Sequence, residues 1–166
     1  MPNHMRNTGH QKGFTIVELL IVIVVIAILA AITIVAYNGI QNRAYDTTVQ
    51  TDLNNAAKKI QLEAAANDGT YPMPSVSTGI KASKSAYSTV QNTFYFCRNE
   101  TTNQFALAAR SRSGKTFKYV SGSVTENATA MYGADTCALI GHTAWSGTYG
   151  YVGYNQATGN WESWVN

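Results

Sequence analysis

From Leu19 to Ala36 the chain runs unbroken through apolar residues, with Thr33 the one exception. As an α-helix this run spans about 27 Å, close to the hydrocarbon thickness of a bilayer. It carries no polar stripe at the helical period, so it is not the surface helix of a soluble domain. A membrane-competent segment is the reading that fits. Hydrophobic residues make up 45% of the 166-residue chain, an ordinary globular figure, but they are unevenly placed. Outside the run the chain is rich in Thr, Ser, Asn, Gly and Tyr.

A cleavable secretory signal has a basic start, an apolar stretch and small residues after it. The stretch ILAAITIVAYNG, residues 28–39, offers such small residues, so a cut there is compatible with the spacing. That reading does not account for Gly13 before the block or Glu18 at its edge. A charge near the bilayer centre costs about 3 kcal/mol on insertion scales, and less at the edge. A membrane therefore tolerates Glu18 without requiring it.

The stretch KGFTIVE, Lys12 to Glu18, followed by the long apolar run, resembles the N-terminal signature of type IV prepilins and pseudopilins. The resemblance implies a leader, residues 1–13, cut by a prepilin peptidase between Gly13 and Phe14. It implies N-methylation of Phe14, which becomes the first residue of the mature chain. It also makes Glu18 the fifth-position carboxylate used in subunit assembly. Cleavage leaves a cationic amine on Phe14. In a filament core such a charge is very unfavourable unless paired, and Glu18 supplies the opposite sign. Four residue steps along a helix are about 6 Å, a plausible stagger between neighbouring subunits. The partner of Glu18 could be the amine of its own chain or that of an adjoining copy, and the resemblance implies the adjoining copy. Arg6 and Lys12 precede the run and favour a cytoplasmic N-terminus. Everything beyond Ala36 then lies outside the cytoplasm, and reaches the cell surface in the filament.

Beyond the run the pattern turns amphipathic. Tyr45, Val49, Leu53, Ala56, Ile60 and Ala64 step along one helical face, while Asp46, Gln50, Asn54, Lys58 and Gln61 read as mostly elsewhere. Gly69 suits a C-terminal cap and Pro72 blocks continuation. No proline lies between Pro2 and Pro72. The spacing predicts one long helix over 15–67, with a membrane or filament half (14–36) and an amphipathic half (37–67).

Residues 68–166 are expected to form the globular part. The segment 71–91 reads as a loop. Strand patterns cover 93–98, 105–111, 116–122, 147–154 and 161–165, spaced as hairpins. The fold class is therefore α+β, a long N-terminal helix packed on a C-terminal antiparallel sheet. Cys97 and Cys137, two thiols in a segment read as exported, predict one disulfide. It would tie the loop after the third strand to the first.

Net charge is +3; loss of Arg6 and Lys12 with the leader leaves 10 basic residues against 9 acidic, a net +1. Binding of nucleic acid through bulk charge is thereby disfavoured. A local patch remains a candidate DNA site: Arg98, Arg110, Arg112, Lys115 and Lys118, with Glu100 the single acid among them. Trp145, Tyr149, Tyr151, Tyr154, Trp161 and Trp164 crowd the tail, as a core or as a surface for sugars or bases. No catalytic constellation, metal spacing or cofactor loop is readable. His4 and His10 lie in the leader, and His142 has no readable partner. Sequons stand at 99–101 and 127–129. The expected function is a filament subunit that polymerises with its own copies. The alternatives are a pseudopilin or minor pilin of a secretion or DNA-uptake machine, or a monomeric membrane-anchored module binding glycan or DNA.

Overall fold

The computed structural model describes residues 13–74, 78–142 and 150–165. The leader residues 1–12, with Arg6, Lys12, His4 and His10, lie outside the described residues, as do Trp145 and Tyr149. The chain divides at Gly39 into two units.

In the first unit, helix α1 (Ile16–Ala65) begins and carries the apolar run. This segment is long and apolar enough to cross a membrane. Its one hydroxyl, Thr33 Oγ1, donates to the Ala30 carbonyl at 2.9 Å, so it is satisfied within its own helix.

Among the described residues the second unit holds the rest of α1, a short helix and six strands. The strands are β1 (Thr93–Asn99), β2 (Gln104–Arg110), β3 (Thr116–Val120), β4 (Ser123–Asn127), β5 (Gly150–Asn155) and β6 (Asn160–Trp161). Their order in the sheet is β4-β3-β2-β1-β5-β6, with every neighbouring pair antiparallel. Phe96 stands opposite Leu107, and Leu107 opposite Tyr119, which fixes the face turned to the helix. Val49, Leu53, Ala56, Ala57 and Ile60 of α1 pack on that face. The fold class is α+β, as expected. The helix ends where the glycine predicted: Gly69, at φ +77°, returns its N–H to the Ala64 carbonyl at 2.8 Å.

Four expectations need correction. The loop of 71–91 is tied into the core: Ile80 bridges Val165, Tyr87 bridges Ser111, and both Ile80 and Tyr87 are buried. Asp46, read as off the apolar face, is buried and accepts a hydrogen bond from the Ser113 hydroxyl. Its neighbour on the stripe, Asp52, is buried too. It accepts the Ser83 N–H at 2.7 Å and the Tyr87 hydroxyl at 3.0 Å, pinning residues 83–87 to the helix. Burial, then the Asp52 charge, pushes the Tyr87 hydroxyl well above its usual range. Third, Cys137 does not follow the third strand. Strand β4 and a short helix α2 (Gly133–Ala138) intervene, and Cys137 sits in α2. The last hairpin is also shorter than expected, with β6 only Asn160–Trp161.

The disulfide joins Cys97 of β1 to Cys137, with Cα atoms 5.2 Å apart, on the sheet face away from α1. Asn99 reinforces the same junction. Its Nδ2 donates to the Ile140 carbonyl at 2.8 Å, so that buried amide is committed and the sequon at 99–101 presents no free acceptor.

Phe94 has φ +59° and is fully buried in β1. A Cβ at Gly153, facing it, would lie 3.0 Å from Phe94 Cβ and 3.1 Å from its carbonyl oxygen. The Phe94 backbone cannot yield readily, because its ring packs against Tyr87 and Trp164. Gly153→Ala is expected to lower the stability of the globular unit by about 1–3 kcal/mol in urea denaturation. An unchanged midpoint would contradict this packing.

Candidate assembly site and basic surface

Helix α1 starts with a reciprocal cap. Thr15 precedes the first helical residue, and its carbonyl accepts the Leu19 N–H at 3.2 Å. Glu18 Oε2 accepts both the Thr15 N–H and the Thr15 hydroxyl, each at 2.8 Å, while Thr15 Oγ1 accepts the Glu18 N–H at 3.2 Å. This is the capping-box arrangement. The carboxylate at the mouth of the apolar helix therefore has a partner inside its own chain. The signal is present in the sequence as Thr-x-x-Glu before an apolar run, and a reading of Glu18 as a charge partner alone passes over it. Glu18 Oε1 makes no hydrogen bond among the described residues, so one oxygen remains for a cation.

Gly13 and Phe14 precede the helix, both exposed, and nothing lies within 4 Å of a Cβ built at Gly13. From Phe14 to Val35 the large apolar side chains are between 47% (Val24) and 89% (Phe14) exposed. A helix with no dry face of its own needs lipid or other helices around it.

A scan of family profiles matches residues 8–34 to the prokaryotic N-terminal methylation motif. Similar proteins include the type IV major alpha-pilin of Moraxella bovis, 44% identical over 63 residues, 38% of each chain. The type IV wide pilus major component PilA4 of Thermus thermophilus is 54% identical over 54 residues, 32% of this chain and 39% of the relative. The type IV major pilin protein PilE of Neisseria gonorrhoeae is 37% identical over 75 residues, 45% of this chain and 44% of the relative. Over its N-terminal part the chain is similar to type IV pilins. The likeness covers under half the length of these pilins. No solved structure matches.

The five cations read as one patch do not all gather at one place on the globular unit. Arg98 donates to the Tyr71 carbonyl at 3.0 Å and pairs with Glu100. Lys115 pairs with Glu126 of β4 at 2.8 Å. Lys118 stands opposite Ala108, on the alternation that faces away from α1. Arg110 and Arg112 line one groove, and Lys84, which the sequence reading left out, joins them. The tail aromatics are largely internal. Tyr154 and Trp164 are buried, Trp161 packs edge-on to Tyr87 at 5.3 Å, and Trp164 Nε1 donates to the Val152 carbonyl at 3.1 Å. Tyr151 meets Trp164 edge-on at 6.5 Å. Among the described residues these rings pack on the core, Tyr154 and Trp164 buried and Tyr151 and Trp161 partly so.

Proposed function

We propose that the chain is a structural subunit of a type IV pilus-like filament. In this reading a prepilin peptidase cuts between Gly13 and Phe14 and Phe14 is methylated. The chain waits in the membrane with its N-terminus cytoplasmic and then polymerises through the apolar half of α1. The observation that carries the proposal is that this half has no buried face, although its large side chains are apolar throughout. Lipid satisfies it before assembly, and copies of the same helix satisfy it afterwards. Glu18 belongs to both states. Its own helix end holds it in the single chain, and the Phe14 amine of a neighbour takes the open oxygen in the filament.

Processing is tested on protein sheared from cells. Mass spectrometry is expected to find a chain starting at N-methylated Phe14. Gly13→Leu is expected to leave an uncut, larger protein in the membrane fraction. A wild-type chain beginning elsewhere, or normal processing of Gly13→Leu, would count against the proposal.

A further inference from the structure

A groove of about 500 Å3 opens beside the β2–β3 turn. Lys84, Arg110 and Arg112 line it, with the hydroxyl residues Ser88, Thr89 and Ser113, and no acidic side chain lines it among the described residues. Each cation is held in place by a neutral group. Lys84 Nζ lies 5.8 Å from the centre of the Trp161 ring, and Arg112 Cζ lies 5.7 Å from the Tyr45 ring. Arg110 donates from Nη1 to Gln91 Oε1 at 2.9 Å and from Nε to the Gly114 carbonyl at 3.2 Å. Two buried carboxylates lie behind the lining: Asp46 accepts from the Ser113 hydroxyl and Asp52 from the Tyr87 hydroxyl. By contrast Arg98 and Lys115, outside the groove, are each neutralised by a glutamate.

Rings and carbonyls fix a cation without cancelling its charge. Three such cations in one concavity repel one another and focus a positive potential there. An oxyanion relieves that repulsion, and guanidinium groups match its geometry in a fork. Cavities of this size hold a ligand larger than a single ion.

We propose that this groove binds phosphate, carried on a phosphodiester-linked chain, with Lys84, Arg110 and Arg112 as its contacts. The inference concerns the globular unit and does not depend on the filament reading.

The test uses the full chain in neutral detergent micelles, a labelled single-stranded oligodeoxynucleotide as probe, and anisotropy as readout. Two double variants remove the same charge: Lys84→Gln with Arg112→Gln in the groove, and Lys58→Gln with Lys59→Gln outside it. All four side chains lie at least partly on the surface, so both variants should keep the wild-type thermal midpoint. The groove pair is expected to weaken binding about tenfold or more at low salt. It should also flatten the dependence of log K on log salt by about 1.4, which is about 0.7 per lost phosphate contact on a single strand. The control pair should leave the slope unchanged. Competition by inorganic phosphate would assign the affinity to single phosphate groups; binding without such competition would assign it to the chain that links them. Equal losses in both variants, equal binding of polyglutamate, or no binding of phosphate or oligonucleotide at low salt would overturn the proposal.

Discussion

Glu18→Ala is expected to leave a chain that enters the membrane and is cut to its mature size, yet forms almost no filament. In the proposed filament, loss of the carboxylate would leave a terminal ammonium unpaired among packed apolar helices. Losing one partner of a buried pair costs about 3–5 kcal/mol, which corresponds to at least about a hundredfold loss in assembly. The capping box supplies a competing cause, because Glu18 also closes the first turn of α1 through Thr15. Glu18→Gln separates the two. Glutamine serves at this position of a capping box but carries no charge. If charge pairing is the cause, Glu18→Gln assembles as poorly as Glu18→Ala, and Thr15→Val, which weakens the cap and keeps the carboxylate, assembles far better. Sheared-filament yield at constant membrane content is the measurement. Rescue by glutamine, or a wild-type yield from Glu18→Ala, would refute the pairing role.

The second large effect lies in the globular unit. Cys97 and Cys137 are buried and close a loop with a sequence separation of 40. Chain entropy gives such a closure about 4 kcal/mol. Reduction, or Cys97→Ser with Cys137→Ser, is expected to lower the unfolding free energy by about that amount in urea denaturation. The loss should begin at α2. Behind the disulfide that helix has only a small apolar cluster with Ala106 and Ile140, and the Asn99 bond to the Ile140 carbonyl. Hydrogen exchange in the reduced protein should therefore rise in residues 133–140 before it rises in β1 and β2. An unchanged denaturation midpoint on reduction would contradict this account.

What could be read without coordinates followed physical rules that act locally. The helix face from Tyr45 to Ala64 was legible because apolar residues repeating at the helical period line up on one side of a helix and on no other regular backbone. Gly69 was legible because only a glycine stops a helix there without strain. Asp46 and Asp52 were not, because a carboxylate on the inner face counts as polar until its partners are known. Those partners are Ser113, Ser83 and Tyr87, all far along the chain. Strand β4, Ser123–Asn127, has no buried residue and so no apolar alternation to betray it. The five cations failed as a patch because closeness in sequence is not closeness on a sheet. Arg98 and Lys115 go to separate glutamates, while Arg110 and Arg112 flank the β2–β3 turn and line one groove. At the assembly site the motif was fully legible. The hydrogen bonds that Glu18 makes within its own chain were passed over because the charge pairing proposed for it already gives the carboxylate a purpose.

A density map of the assembled filament, sharp enough to place side chains, tests the central claim most directly. The account predicts that each Glu18 carboxylate lies within about 4 Å of the Phe14 amine of an adjacent subunit. A filament that holds Glu18 on Thr15 of its own chain, with the neighbouring amine well beyond that distance, would contradict it.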